Sequence, residues 1–244
     1  MDKMLAIASS VVADAIRRKV VWVVLLFAVI LSLAIPSLPS YGVGVVGAVF
    51  REVAIALMFA AAFVVALALS ATRIPAEVDR RTVFNVLARD VRRWQYVVGS
   101  WLGMFAVVGL SLLAFTIVAI IVGRVAYGGL MFVLFEAMLA VWLEMGVVMA
   151  FTVMMSTRFG VVTAVVGALA FAFVGHSVGL LVATGAEGRA PWYVPSLDVF
   201  NVVNPVAHGA GYNPAYAGAM LVAFAAWAAL LLLAGAALFE RRDL

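Results

Sequence analysis

Glu136, Glu144 and His176 are the residues of this 244-residue chain whose chemistry stands apart from their surroundings. Both glutamates fall within one apolar run, about Leu130–Met155, and His176 falls within the next, about Gly160–Thr184. An ionised carboxylate among hydrocarbon side chains is costly, so such a residue usually faces a protein interior, a water-filled path or a partner. Two readings stay open: carboxylates that line a transport path or carry protons, and glutamates kept neutral or paired for structure alone. A short turn around Ser156–Phe159 joins the two runs and makes them antiparallel neighbours. Counted from that turn at about 1.5 Å per residue, Glu136 and His176 reach similar heights. We therefore expect these two side chains to face each other near the outer third of the membrane.

Other chemistries find less footing. The chain has no cysteine, so it offers no disulfide, thiolate metal site or cysteine nucleophile. His208 stands alone in a loop, and no Ser/His/Asp arrangement or metal-ligand spacing is visible, so no catalytic residue and no metal ligand is assigned. Met131, Met138, Met145 and Met149 form a stripe that could in principle hold Cu(I). Methionine at this spacing is expected to be packing. The two lysines, Lys3 and Lys19, lie outside any GxxxxGK[ST] context, so the phosphate-cradling loop of an ATPase is absent. If ATP drives this protein, another chain hydrolyses it, and no cofactor is expected here.

The elements that must position these groups are membrane helices. Hydrophobic residues make up 67% of the chain, charged residues 11%, and the mean hydropathy is +1.20. A soluble domain has about 45–50% apolar and 25% charged residues. The expected fold is an all-α integral membrane protein, one transmembrane domain over residues 1–244. Six stretches approach the roughly 20 apolar residues a span needs: Val20–Leu38, Val53–Ser70, Val97–Val122, Leu130–Met155, Gly160–Thr184 and Ala215–Phe239. Residues 1–19 place Leu5, Ala8, Val12, Ala15 and Ile16 at helical spacing and end on Arg17, Arg18 and Lys19. They read as an uncleaved helix lying in the lipid interface.

The net charge of +4 matters through its distribution, and no nucleic-acid partner is expected. Thirteen of the sixteen basic residues fall on one side of the six spans, and Arg51, Arg124 and Arg189 on the other. That asymmetry puts both termini and the loop at residues 73–96 in the cytoplasm. The outer connection, 185–214, interleaves prolines with Trp192, Tyr193, Phe200 and Tyr212, which suits short interfacial helices and turns.

The loop at 73–96 is the long charged segment, with six arginines against Glu77, Asp79 and Asp90. It reads as two short helices. Pro75 suits a first helical position, the first helix runs to about Ala88, and Asp90 caps a second that enters the membrane near Val97.

Glu77, Arg81-Thr82, Leu87, Arg89, Arg93-Trp94, Tyr96, Gly99 and Trp101-Leu102-Gly103 together resemble the cytoplasmic loop of ABC transporter permeases of the type-2 export family. The subgroup includes the permease of the nitrous-oxide-reductase maturation system. Residues 194–209 and the closing run FERRDL also resemble segments of that family. The resemblance implies that the loop holds a coupling helix, with Glu77, Arg81, Thr82, Arg89 and Arg93 at the contact with a separate ATPase. It further implies partners: a dimer of ATPase subunits carrying ATP and Mg, and a second permease copy. The location implied is a prokaryotic cytoplasmic membrane, with lipid around the spans. A permease subunit of an ATP-driven exporter is the leading expectation. The alternative is a proton-coupled secondary transporter using Glu136 and Glu144.

Overall fold

The computed structural model describes residues 2–17, 26–27, 29–33, 45–81, 91–128, 131–183 and 195–241. Among these residues the secondary structure is entirely helical. The helices are α1 (Asp2–Arg17), α2 (Val45–Asp79), α3 (Arg93–Tyr127), α4 (Leu134–Arg158) and α5 (Val161–Ala183). A 3-10 turn (Leu197–Phe200), the short α6 (Val203–Ala207) and α7 (Pro214–Glu240) complete the order. Among the described residues five helices, α2, α3, α4, α5 and α7, are long and apolar enough to cross a membrane. The expected first span lies largely outside the described residues. Within it Phe27 stacks on Phe115 of α3 with ring centroids 4.7 Å apart.

Helix α4 is the axis of the bundle. Its most apolar window is 67% buried, against 28% for α5 and α7, and it packs mainly on α2 and α7. Small residues and aromatic side chains make that packing close. A β-carbon on Gly146 of α4 would lie 2.5 Å from a ring carbon of Phe224 and 2.7 Å from one of Phe105. The Gly146 carbonyl accepts a hydrogen bond from Trp101 Nε1 at 3.0 Å. Phe105 stacks on Trp142 at 4.4 Å and on Phe224 at 5.3 Å, so a block of rings joins α3, α4 and α7.

The pair Gly99 and Gly103 serves a contact within the chain. A β-carbon on Gly103 would meet Val11 at 2.6 Å, and one on Gly99 would meet the Met4 carbonyl at 3.1 Å. Helix α1 therefore crosses α3 at its small-residue surface, with Val11 buried in the contact. Gly175 of α5 receives Leu197 of the 3-10 turn, 2.6 Å from where its β-carbon would stand.

Three boundaries differ from expectation. Pro75 lies inside α2, thirty residues beyond its first residue, so no new helix begins there. A proline inside a helix loses one backbone hydrogen bond and costs about 3 kcal/mol or more. Burial of Ile74 and the Arg73–Glu77 pair, 2.7 Å apart one turn apart on the same helix, hold the helix through it. The expected first coupling helix from Pro75 to Ala88 is thus, up to Asp79, the end of α2. Residues 82–90, with Thr82, Arg89 and Asp90, lie outside the described residues. Helix α3 starts at Arg93 with Arg92 as its cap, and Arg92 N–H donates to Gln95 Oε1 at 3.0 Å, the place expected for Asp90.

Candidate functional site

At one end of the bundle the flanks of the arginine-rich loop are tied to four helices. Glu77 accepts a hydrogen bond from Tyr96 Oη at 2.6 Å and pairs with Arg73. That bond fastens the end of α2 to the start of α3. Arg73 also reaches Asp14 of α1 at 3.5 Å. Arg93 Nη1 donates to the carbonyls of Phe239 and Glu240 at 3.2 and 2.9 Å, satisfying the C-terminal end of α7 with a cation. Arg81 is exposed, with φ of 57°, in the left-handed region that non-glycine residues seldom adopt.

At the opposite end the segment 195–213 packs against the helices. Arg51 Nε of α2 donates to the Ala207 carbonyl at 2.7 Å. Glu136, in the first turn of α4, accepts from the Tyr212 backbone N–H at 2.8 Å, and its own carbonyl accepts from Tyr212 Oη at 3.1 Å. A β-carbon on Gly211, whose φ is 66°, would come within 2.6 Å of the Glu136 carboxylate. Only glycine lets the carboxylate approach the backbone here. Burial first, and then the Glu136 carboxylate, push the Tyr212 phenol above its ordinary range.

The expected pairing of Glu136 with His176 is wrong. His176 Nε2 lies 2.8 Å from Glu144 Oε1, eight residues further along α4. The reason is the position of the turn. Helix α4 ends at Arg158 and α5 begins at Val161, so the reversal is centred on Phe159 and Gly160. Glu144 and His176 are then each about 16 residues from it, within roughly 2 Å of the same depth. Glu136, in the first turn of α4, is instead bonded to the Tyr212 backbone.

Glu144 and His176 sit at a cavity of about 260 Å³ bounded by α2, α4, α5 and residues 200–203. Glu144 is 3% exposed. Glu144 Oε1 and His176 Nε2 are each other's near polar partner, and both atoms are shielded from solvent. The other ring nitrogen of His176 lies 3.8 Å from Asp198 Oδ1 in the 3-10 turn, and Phe59 meets the imidazole edge-on at 5.8 Å. Two carboxylates thus flank one imidazole, an arrangement that can store or pass a proton or face a cation. Asp198 went unread in the sequence. Its signal was an acid embedded in Leu197, Val199 and Phe200, an apolar pattern that pulls the turn inward.

Among the described residues no group of three His, Asp or Glu side chains is arranged to hold a metal ion. Met131, Met145 and Met149 are packed in the core. No protein-family model matches the chain, and no curated protein matches it significantly. The class is therefore defined by fold and site. The chain's described residues are those of an all-helical protein of the multi-pass membrane class, with a buried glutamate, Glu144, against His176 beside the segment 195–213.

Proposed function

We propose that the chain is the membrane-spanning permease subunit of an ATP-driven exporter of the ABC type, docked through its arginine-rich loop on a separate ATPase. One observation carries this reading. The two flanks of the loop are fastened to each other by Tyr96 and Glu77 and to α1 and α7 by Arg73 and Arg93. A push delivered at residues 80–92 would reach α1, α2, α3 and α7 together, as a mechanical coupling element requires. The resemblance of the loop to type-2 permeases points the same way.

The working unit in this proposal is two copies of the chain with two ATPase subunits. Gly99 and Gly103 are occupied by α1, so the contact between copies falls on other surfaces. The test is charge reversal at two loop residues outside the apolar spans, Arg81→Glu with Arg89→Glu. Expected are normal membrane insertion and ATP hydrolysis that no longer drives transport. Wild-type coupling in the double variant overturns the docking role. A purified complex with one permease copy and no second permease-like chain overturns the dimer.

A proton-coupled secondary transporter is the second reading, and the close Glu144–His176 pair favours it. Its carrier would be Glu144 alone, because Glu136 is bound to the Tyr212 backbone. Absence of any ATPase from the complex isolated at native expression would favour this reading over the first.

A further inference from the structure

We propose that Glu144 is a proton-binding site open to one end of the bundle, with His176 carrying the proton between it and the 195–213 end. This access holds whichever energy source drives the protein.

Access depends on what surrounds each atom. The polar group against Glu144 among the described residues is His176 Nε2, at 2.8 Å. The imidazole is the more open partner, its side chain 35% exposed against 4% for Glu144. Its second nitrogen, Nδ1, faces Asp198 Oδ1 at 3.8 Å. Asp198 is similarly exposed and has a further interaction as well. The cavity beside the pair continues to Asn201, an exposed polar residue of the 195–213 segment. Water takes about 30 Å³ per molecule in the liquid. A space of about 260 Å³ reached by Glu144, His176 and Asn201 thus has the room and the polar partners for a short chain of waters.

Among the described residues the path stops toward the Arg81 end. Residues 145–150 of α4 are all buried, and none carries an ionisable or hydroxyl group. Thr152 and Ser156, the next buried hydroxyls on that helix, donate to the carbonyls of Val148 and Val153. Phe105 and Phe224 close over Gly146 between them and Glu144.

An imidazole suits the transfer because it can bind a proton at one nitrogen while giving one up at the other. In the loading step a proton from water binds Nδ1, and the Nε2 proton passes to Glu144 Oε1. The N–H bond at Nε2 breaks, an O–H bond forms on the carboxyl, and the ring is left neutral with its proton on Nδ1. The 2.8 Å separation is within the range for direct transfer. Release runs the same two transfers backward. Other elements packed on the pair bring few titratable groups. Helix α2 contributes Ile55, Ala56 and Phe59, the last edge-on to the ring at 5.8 Å. The 3-10 turn contributes Asp198, and α7 brings Tyr216, whose hydroxyl donates to the Val199 carbonyl at 2.8 Å.

The test reconstitutes the purified protein in liposomes with the pH set separately on each side. Maleimide labelling of a His208→Cys variant reports which side the 195–213 end faces. The readout is the infrared C=O stretch of the protonated carboxyl group, assigned to Glu144 by its loss in Glu144→Gln. Expected is a signal that rises when pH falls on the 195–213 side and ignores the pH on the Arg81 side. His176→Gln keeps a hydrogen-bonding side chain and removes the titrating ring. It should slow the rise after a pH jump at least about tenfold while leaving the end point in place. Added imidazole should restore the rate in His176→Ala, which a purely structural role for the ring does not predict. A signal that follows the Arg81-side pH, or both sides equally, overturns the proposal. So does a Glu144 signal that no pH step changes, an unslowed rise in folded His176→Gln, or a His176→Ala rate that imidazole leaves unchanged. Proton flux across the membrane is a separate measurement, and its absence would remove the proton-coupled reading while leaving this site intact.

Discussion

Glu77 holds two partners at once, and the consequence can be measured. Its carboxylate accepts from Tyr96 and pairs with Arg73 in a half-buried setting. Hydrogen bonds to charged groups contribute about 1.5–3 kcal/mol. Tyr96→Phe keeps the ring that stacks on Phe239 and removes the hydroxyl. We expect the purified variant to unfold at lower temperature, by the equivalent of about 1–3 kcal/mol, with transport coupling reduced as well. An unchanged melting temperature would show that the Tyr96–Glu77 bond does not hold the loop flanks. At the other end Tyr212 sets an alkaline limit. Its phenol is raised by burial and by Glu136, so its contribution is full below the ordinary value near 10 and is lost as pH climbs through the raised one. Tyr212→Phe should therefore flatten the loss of thermal stability above about pH 10. Glu77, Arg93, Glu144 and His176 stood out in the sequence because a charge beside hydrocarbon has few neutral explanations, and each has a close polar contact in the structure. Their partners were less so. Sequence gives depth along a helix but not its rotation, and a two-residue error in the turn centre exchanged Glu144 for Glu136.

At the scale of elements, close approach rather than hydrophobicity distinguishes one apolar helix from another. Gly146 lies under Phe105 and Phe224 at distances that leave no room for a methyl group. Gly160, at the α4–α5 turn, has no atom within 4 Å of its β-carbon position. Gly146→Ala should cost about 1–3 kcal/mol through overpacking, while Gly160→Ala should be close to neutral. Thermal unfolding of the two variants side by side checks the contrast, and similar melting temperatures would contradict the ring block as the clamp on α3, α4 and α7. Helix α7 starts at Pro214, one residue before the expected Ala215. Asn213 caps it, its Oδ1 accepting from Ala215 N–H at 2.9 Å, and Pro214 takes the first turn. Pro75 misled for the same local reason: its ring suits a helix start equally well, and what overrides it is tertiary. Burial of Ile74 and the Glu77 contacts lie beyond anything the flanking residues announce.

At the scale of the whole molecule the two ends differ in charge, and that difference makes a prediction about their sides of the membrane. Arg73, Arg80, Arg81, Arg92, Arg93 and Arg241 gather where α2, α3 and α7 end or begin, while Arg51 and Arg124 occupy the opposite end. Basic residues are retained on the cytoplasmic side during insertion, so the Arg81 end should be cytoplasmic and the His208 end external. Both positions are exposed, and the chain has no cysteine, which allows single thiols to report without background. In intact cells a membrane-impermeant maleimide should label His208→Cys and leave Arg81→Cys unmodified until the membrane is permeabilised. The helices α2 and α3 are 35 residues each, about 52 Å, against a hydrocarbon core of about 30 Å. They either tilt or project, and projection on the Arg81 side would lift the loop clear of the headgroups to where a soluble ATPase can reach it. The same labelling decides between these. Thiols placed at the exposed Asp79 and Arg92 should react in inverted vesicles as fast as Arg81→Cys if the helix ends project, and more slowly if they lie in the headgroup layer. Labelling of Arg81→Cys in intact cells would reverse the orientation, place the docking surface on the side without ATP, and remove the ATPase-driven mechanism altogether.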